Sequence, residues 1–209
     1  MHNTDPQRRV IVSICGPAGS GKTVLSKLLV ERLGPDVAVR VPSDRYLMPA
    51  QEPLDRYLRR PVRYDWPLLD RALDVPDGTA VLTPSFDFRR FTRREQPDRR
   101  PFITRPVLVI DAIKPYPATT IRVYIDAPSE IRRARLIERD AARGSRSADQ
   151  WEQLELTRIH LEQRCIDYDL LLSGMDDPAG NVEAIIMCLT RSAKRQASRI
   201  WPDGTIETS

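Results

Sequence analysis

The stretch from Val10 to Thr23 constrains the fold most, because a short apolar run leads there directly into a glycine-rich loop. Residues 16–23 match the pattern G-x-x-x-x-G-K-[ST] at every position. Glycines at 16, 19 and 21 let the backbone turn with positive φ and bring N–H groups against phosphate oxygens. The apolar run predicts a buried strand, and the leucines after the loop predict a helix whose positive dipole end favours anions. The sequence therefore predicts a phosphate-binding loop between a strand and a helix.

This loop predicts a nucleoside triphosphate as ligand. Lys22 would reach the β- and γ-phosphates, and the Thr23 hydroxyl would ligate Mg²⁺ beside them. The residues predicted to contact the nucleotide here are Gly16, Ala18, Gly19, Ser20, Gly21, Lys22 and Thr23. The motif leaves open which group, if any, is phosphorylated.

The length and composition predict a single α/β domain over residues 1–209. A chain of 209 residues can enclose one sizeable core but not two comfortable ones. It has no run of 18 apolar residues, and residues 1–6 lack the apolar stretch of a signal peptide. We therefore expect a cytoplasmic protein that does not bind membranes. The oligomeric state is left open, and a homo-oligomer is compatible with the sequence.

The charged and reactive residues argue against several other classes of function. The 33 basic residues are interspersed with 29 acidic ones, and no nucleic-acid-binding motif or aromatic platform accompanies them, so no nucleic-acid partner is expected. Three widely spaced cysteines favour neither a disulfide framework nor a zinc site. Because the chain has only two histidines, proton transfer is expected from carboxylates.

Two further apolar runs lead to a carboxylate. Residues 37–41 predict a strand followed by Asp44, and residues 107–110 predict a strand that ends in Asp111. Ligands of open parallel sheets bind at the carboxyl ends of strands, so Asp44 is a candidate functional carboxylate, with a turn or helix cap as the alternative. Asp111 has the position of a Walker-B acid, which holds Mg²⁺ directly or through water. The predicted metal-binding set is Thr23, Asp44 and Asp111.

The order of the remaining elements predicts the fold class. Further strands are predicted at residues 79–84, 121–126 and 169–173, and helices at 65–73, 151–167 and 181–197. Asp65 is the predicted N-cap of the first of these helices. We expect the P-loop NTPase fold, a three-layer αβα arrangement with a central parallel sheet of about five strands and helices on both faces.

Two segments rich in proline and arginine interrupt this pattern, at residues 45–65 and 84–106. Both are poor core segments, and we expect them to be inserts on the substrate side. Residues 85–94 alternate enough to predict an edge hairpin. The arginines of the second insert fit a solvated surface and a substrate clamp equally well.

A helix predicted after residue 128 carries several arginines on one face, namely Arg132, Arg135, Arg139 and Arg143. Such a stripe would repel itself in solvent, which favours an anionic partner, here the triphosphate. Surface pairing with Glu130, Glu138 and Asp140 is the alternative. We predict an arginine-rich lid over residues 128–148, a helix break at residues 144–147 and a flexible tail over residues 198–209.

Residues 10–146 resemble the uridine kinase family, within the P-loop kinases that include phosphoribulokinase and bacterial pantothenate kinase. The block at residues 83–93, Thr-Pro-Ser-Phe-Asp-Phe-Arg-Arg-Phe-Thr-Arg, is similar to the family segment P-x-Y-D-F-x-x-H-x-R. The strand at 121–126 with Arg132, Arg135, Arg139-Asp140 and Arg143-Gly144 is similar to the family's strand and lid helix. Residues 64–67, Tyr-Asp-Trp-Pro, resemble the family's F-D-H-P.

The resemblance implies an ATP-dependent kinase with a small-molecule hydroxyl acceptor and Mg²⁺. Asp44 would accept the proton of the acceptor hydroxyl, and Asp65 would bind ribose hydroxyls. Arg132, Arg135 and Arg139 would belong to a lid over ATP, and Asp111 stands where the family has glutamate. The implied catalytic residues are Lys22, Asp44, Arg135 and Arg139, and the implied acceptor contacts are Asp44, Tyr46, Asp65, Phe86, Phe91 and Arg93.

The chain departs from the family at the positions associated with reading the base. Phe86 stands where the family has tyrosine and Phe91 where it has histidine, so two hydrogen-bonding groups become phenyl rings. The turn after Asp44 is also shortened. A nucleoside or ribose-like acceptor, a non-nucleoside hydroxyl such as a sugar, a pantothenate-like acid or a natural product, and a non-catalytic nucleotide-binding regulator all remain open. A preference between ATP and GTP is not readable, although the N-K-x-D guanine signature is absent.

Overall fold

The computed structural model describes residues 9–88, 90–98, 100–143, 151–152, 154–156 and 166–200. Within them it contains nine strands and five helices of defined bounds, besides the helical residues 151–152 and 154–156. The strands are β1 (Val10–Cys15), β2 (Ala38–Val41), β3 (Ala80–Val81), β4 (Phe86–Asp87), β5 (Thr92–Arg93), β6 (Phe102–Ile103), β7 (Val107–Asp111), β8 (Ile121–Asp126) and β9 (Leu170–Ser173). The helices are α1 (Lys22–Leu33), α2 (Leu54–Leu58), α3 (Trp66–Leu73), α4 (Ser129–Arg143) and α5 (Pro178–Ile200), and a 3₁₀ turn spans Ser43–Tyr46.

Five of these strands form a parallel sheet in the order β2-β7-β1-β8-β9. Strand β1 lies in the middle, with Val12 opposite Val109 of β7 and Ile121 of β8. Because β1 and β7 are covered on both faces, they are nearly continuous apolar runs, whereas the third inner strand, β8, alternates between buried and half-buried residues. The central parallel sheet of five strands confirms the predicted fold class.

Helices cover both faces of this sheet. Side chains alternate along β7, so that Leu108 and Ile110 join one apolar core while Val109 joins the other. The first core includes α3, and the second includes α1 and α5. The predicted three-layer arrangement is therefore confirmed, and the loop after β1 lies at the centre of the carboxyl edge.

The region between α3 and β7 differs from the prediction. The strand expected over residues 79–84 is reduced to β3, which pairs with β6 in a separate antiparallel sheet. The sequence analysis missed β6. The expected hairpin forms from β4 and β5, but as a two-stranded sheet of its own rather than at the edge of the central sheet. Pro84 and Pro101 border these strands and lack the N–H group that a longer ladder would need.

Capping residues are present at the ends of two helices. Helix α1 ends at Leu33 and is followed by Gly34, whose φ is 91° and whose N–H donates to Val30 O. The Asp65 side chain caps α3 by accepting from the N–H of Leu68. Helix α5 runs from Pro178 to Ile200, beyond the predicted residues 181–197 at both ends, so residues 198–200 of the expected tail are helical.

Several predictions fall wholly or partly outside the described residues. These are the break at 144–147, the rest of the tail at 201–209, and most of the helix expected over 151–167, of which 151–152 and 154–156 are described and helical. The domain extent of 1–209, the two inserts and the lid remain predictions. Within the described part of the chain, no helix combines the length and apolarity needed to cross a bilayer.

Candidate active site

The glycine-rich loop after β1 has the backbone conformation that its sequence requires. Gly16, Gly19 and Gly21 have φ values of 144°, 81° and 107°, a region that residues with a side chain rarely adopt. Gly21 precedes the first residue of α1, Lys22, in the left-handed conformation. The loop therefore turns directly into the N-terminus of a helix, the arrangement that binds phosphate.

The loop is packed closely on three sides. A Cβ atom on Gly16 would lie 2.0 Å from the carbonyl oxygen of Ile125 in β8, and one on Gly19 would lie 2.5 Å from that of Arg132 in α4. A Cβ atom on Gly174, just after β9, would lie 2.2 Å from the carbonyl oxygen of Ser20. The Ser20 hydroxyl is buried and has no hydrogen-bond partner among the described residues. An unpartnered donor in a closely packed glycine-rich loop fits a phosphate-binding role.

The Lys22 side chain folds back onto the loop that precedes it. Its Nζ donates to the carbonyl oxygen of Pro17 at 2.6 Å. Burial lowers the pKa of Lys22, while the negative charges of Asp44 and Asp111 oppose that shift. The ammonium group is therefore close to both carboxylates that the sequence analysis selected.

Asp111 binds three groups of neighbouring elements. Its Oδ2 accepts from the Thr23 hydroxyl at 2.9 Å, as expected for a Walker-B acid. The guanidinium of Arg40 in β2 donates to both carboxylate oxygens, from Nε to Oδ1 at 3.0 Å and from Nη2 to Oδ2 at 2.9 Å. The Ser43 hydroxyl donates to the Asp111 backbone carbonyl at 2.5 Å. The sequence analysis missed Arg40, whose signal was a lone charge inside an otherwise apolar strand.

Asp44 follows β2 in the 3₁₀ turn and, taken as a whole residue, is exposed. Desolvation by the surrounding protein raises the pKa of Asp44, and the charge of Asp111 adds to the rise, whereas Lys22, Arg40 and Arg139 lower it. No hydrogen bond to this carboxyl exists among the described residues, and no side-chain cap is present at this turn. Asp44 is therefore a turn residue, as one of the alternatives expected, but its side chain caps no helix.

Asp65, Arg93 and Tyr46 form a second polar cluster. Asp65 Oδ2 accepts from Arg93 Nη1 at 2.9 Å, and its Oδ1 accepts from the Leu68 N–H at 3.1 Å. Arg93 Nη2 donates to the Leu47 carbonyl at 3.2 Å. The Arg93 Nε and the Tyr46 hydroxyl are buried without hydrogen-bond partners among the described residues. Burial also raises the pKa of Tyr46 to about 12, so its hydroxyl stays protonated.

Two phenylalanines lie beside this cluster, Phe86 in β4 and Phe91 between β4 and β5. Phe86 is 5% exposed and belongs to the same apolar core as Tyr46. The Phe91 ring lies 6.1 Å from the ring of Phe86 and 5.4 Å from that of Tyr57. Phe91 has a φ of 53°, and its carbonyl accepts from the Ala50 N–H at 2.8 Å, which joins the two predicted inserts.

Two arginines of α4, Arg132 and Arg135, contact the glycine-rich loop. Arg132 is 1% exposed and lies in ion pairs with Asp126 at 3.4 Å and Glu155 at 2.7 Å. It also donates to the Ala18 carbonyl at 3.4 Å, and Arg135 donates to the carbonyls of Gly19 and Gly174 at 3.4 and 2.9 Å.

Farther along α4, Arg139 is 39% exposed and lies 3.8 Å from Asp140. Its charge acts on both Lys22 and Asp44. Among the described residues, the surface pairs expected with Glu130 and Glu138 do not form, and the side chain of Arg143 lies outside the description.

A cleft of about 570 Å³ adjoins the loop at the carboxyl ends of β8 and β9. Its lining includes Asp126, Pro128, Arg132, Leu172 and Ser173. Arg132 connects this cleft to the loop through Ala18. In the sheet order the cleft lies beside β8 and β9, whereas the turn that carries Asp44 follows β2 at the other end of the sheet.

The oxygen ligands in this site suit Mg²⁺. Within the described residues, no three histidine, cysteine or acidic side chains are grouped closely enough to hold a metal alone. The Thr23 hydroxyl hydrogen points to Asp111, which leaves its oxygen free to bind a cation. Magnesium usually has few protein ligands and relies on water and substrate phosphates, so this sparse set fits it.

Comparison with known proteins identifies relatives along most of the chain. No family model matches. The chain is 27% identical over 192 residues to a uridine kinase of Deinococcus deserti, covering 82% of this chain and 92% of the relative. It is 30% identical over 151 residues to a uridine kinase of Brevibacillus brevis, covering 67% of this chain and 70% of the relative.

A proposed fructose transport system kinase from Silicibacter sp. TM1040 has a similar fold, with a TM-score of 0.56 at 21% identity, over 82% of this chain and 92% of that chain. The resemblance inferred from the motifs is thereby confirmed, and the phosphate-binding loop lies where this fold requires it. The chain belongs to the uridine kinase-like family of P-loop kinases, which are phosphotransferases with a hydroxyl acceptor.

Proposed function

We propose that this protein transfers the γ-phosphoryl group of ATP to a primary hydroxyl of a nucleoside or another ribose-like acceptor. The observation that carries the proposal is the environment of Asp44. Its carboxyl has no hydrogen bond within the described residues, interacts electrostatically with Lys22, and has a pKa raised mainly by desolvation. A carboxylate of raised basicity beside the phosphate-binding lysine is suited to accept the proton of a hydroxyl.

The donor side would be bound by the loop. Its backbone N–H groups from Gly16 to Thr23, the unpartnered Ser20 hydroxyl and the Lys22 ammonium would bind the phosphates. Arg132 and Arg135 would hold the loop against α4 through the carbonyls they contact, and Arg139 would add positive charge towards the transferred group. The cleft beside Arg132 is large enough to receive a nucleobase.

Magnesium would be held by the Thr23 hydroxyl, with Asp111 and Asp44 close enough to bind its water ligands. The chemistry that the ion supplies when bound is neutralisation of the phosphate charge. The protein's own part is to orient Thr23 through Asp111 and to keep Asp44 free as a base.

The acceptor would lie between Asp44 and the Asp65–Arg93 pair. A carboxylate has about four lone-pair sites, and Asp65 uses one for Leu68 and one for Arg93, so it can still accept from two hydroxyl groups. With Asp65 orienting the acceptor, Asp44 would remove the proton from the attacking oxygen while Lys22 and Arg139 stabilise the charge on the phosphoryl group. The relatives named uridine kinase support a ribose-like acceptor.

A non-nucleoside acceptor is the second candidate, and the Phe86–Phe91 pair favours it. Both rings lie beside the cluster and offer no hydrogen bond to a base edge. A site that lacks such groups cannot reject compounds that lack the base by the large factors that hydrogen bonding gives. Sugars and pantothenate-like acids are therefore reasonable competitors.

A panel of acceptors with ATP and Mg²⁺ tests the proposal. Nucleosides, free pentoses, hexoses and pantothenate are each incubated with the enzyme, and the phosphorylated product is identified by mass spectrometry. A phosphorylated nucleoside or pentose is the expected result. A product only from a hexose or an acid would support the second candidate, and tight ATP binding without any product would support a regulatory module.

Two substitutions of Asp65 separate its capping role from its acceptor role. Asn keeps an oxygen that can cap α3, whereas Ala does not, so Asp65→Ala should lower the stability by about 1 kcal/mol more than Asp65→Asn, or roughly 3 °C in Tm. Both variants lose the charged bond to the acceptor, and kcat/KM for the acceptor should fall about 10–100-fold in each. Unchanged kcat/KM in both variants would limit Asp65 to capping.

A further inference from the structure

Arg40 is a cation of this site that neither the loop motif nor the family resemblance selects. It is the last residue but one of β2, where it lies opposite Val109 of β7. Its planar guanidinium forms two parallel hydrogen bonds with Asp111. Such a two-point bond fixes the orientation of the carboxylate as well as its charge, which a lysine would not do.

The Arg40–Asp111 pair is unevenly exposed. The Asp111 side chain is 4% exposed and that of Arg40 is 32% exposed. Oδ1 of Asp111 accepts from Arg40, and Oδ2 accepts from both Arg40 and Thr23. Three of the roughly four lone-pair sites of the carboxylate are therefore in use. A cation at Thr23 would find Asp111 already bound.

The charges around Thr23 are balanced before any ligand binds. Lys22 and Arg40 contribute two positive charges, and Asp44 and Asp111 contribute two negative charges. The charge of Arg139 also acts on Lys22 and Asp44, but Asp140, 3.8 Å from Arg139, offsets it. Without Arg40 the same set would carry one net negative charge. A divalent cation is attracted to the second arrangement much more strongly than to the first.

We propose that Arg40 is a positioning residue that holds Asp111 away from direct metal coordination, so that Mg²⁺ enters with the nucleotide phosphates rather than alone. The proposal rests on the proposed function, which assigns the metal to Thr23 and Asp111. Arg40 acts through Asp111, to which both of its side-chain hydrogen bonds run. The phosphates then supply the negative charge that the balanced site lacks.

The test measures metal binding by the nucleotide-free protein, with Mn²⁺ alone as the probe and the free ion counted by electron paramagnetic resonance. Mn²⁺ takes the same oxygen ligands as Mg²⁺. Removal of one unit charge within a few ångströms of a divalent ion should change its affinity about tenfold or more, even when solvent screens most of the interaction. Arg40→Met should therefore bind Mn²⁺ at least about tenfold more tightly than the unmodified protein.

Two variants control for charge and fold. Arg45→Met removes an equal charge from an ion pair of similar exposure, since Arg45 is 31% exposed and pairs with Asp98 at 2.5 Å, and its Mn²⁺ affinity should stay near that of the unmodified protein. Arg40→Lys keeps the charge but not the two-point bond, so its Mn²⁺ affinity should lie between that of the unmodified protein and that of Arg40→Met. It also provides a folded comparison if Arg40→Met loses stability.

The double variant Arg40→Met with Asp111→Asn assigns the gained affinity to Asp111. It should lose the tenfold gain. Equal Mn²⁺ affinities of Arg40→Met and Arg45→Met, or a gain that survives in the double variant, would overturn the proposal. Because no ATP, acceptor or turnover enters the measurement, a failure of the proposed kinase reaction would leave this result unaffected and would be recognised separately.

Discussion

Replacing Asp44 with asparagine is expected to lower phosphoryl transfer about 10²–10⁴-fold while ATP binding is kept. An asparagine has the same shape as aspartate but cannot accept a proton, and general-base catalysis by a placed side chain contributes rate factors of this size. The substitution breaks no hydrogen bond within the described residues, so the fold should be preserved. Removal of a negative charge near Lys22 should leave the affinity for ATP unchanged or slightly higher. The measurements are kcat with the best acceptor and ATP binding by calorimetry.

The matched control is Asp74→Asn, an exposed carboxylate at the end of α3 with no side-chain contact among the described residues. It should retain full turnover. A second condition separates the base from a metal role of Asp44, because a lost metal contact is recovered by excess Mg²⁺ and a lost base is not. Turnover of Asp44→Asn equal to that of the unmodified enzyme would contradict the role of Asp44 as the base. Full recovery of turnover at high Mg²⁺ would show instead that Asp44 acts by binding the metal.

The donor half of the site could be predicted from the sequence because its chemistry is contiguous. Eight adjacent residues encode the loop, and the glycines at 16, 19 and 21 have the positive φ values that the motif requires. The strand before the loop and the strand of Asp111 are buried on both faces, so their apolar runs were unambiguous. The hydrogen bond from Thr23 to Asp111 then follows from the family's geometry.

Contacts between distant residues were the part that could not be predicted. Arg40 and Asp111 are separated by 71 positions, and only the β2–β7 register brings them together. Helical periodicity placed Arg132 and Arg135 on one face, but it did not show what that face would contact. Arg132 proved to be buried between Asp126 and Glu155, in contact with the loop through Ala18.

The acceptor side illustrates the same limit at the level of a single residue. The identity of Phe86 distinguishes this chain from the family pattern, but identity alone does not reveal that the ring is 5% exposed and lies in the core with Tyr46. Similarly, β3 and β6 are two residues long and pair across 20 intervening positions of the chain. Short strands of this kind are set by tertiary packing rather than by local propensity.

The contact between the loop and α4 leads to the second large effect. Gly19→Ala should lower the stability by roughly 3–5 kcal/mol, or about 10 °C in Tm, because two costs add. The φ of 81° is unfavourable for alanine, and the new Cβ would lie 2.5 Å from the carbonyl oxygen and 2.9 Å from the Cα atom of Arg132. Both are backbone atoms of a packed helix, so they cannot relieve the clash by a change of rotamer as a flexible side chain could. Thermal unfolding followed by circular dichroism measures the change.

Gly78→Ala isolates the collision from the backbone strain. Gly78 has a φ of 82°, almost the same as that of Gly19, but a Cβ atom there would have nothing within 4 Å. Its substitution should therefore lower the stability only through the backbone strain, by about 1 kcal/mol or roughly 3 °C in Tm.

Equal losses of Tm in the two variants would mean that α4 moves aside without a loss of stability. In that event Arg132 and Arg135 would not hold the loop rigidly, and the affinity of Gly19→Ala for ATP should stay close to that of the unmodified enzyme. If α4 does hold the loop, the same variant should lose nucleotide affinity together with stability, because any shift that relieves the collision also moves the carbonyls of Ala18 and Gly19 away from their arginine donors.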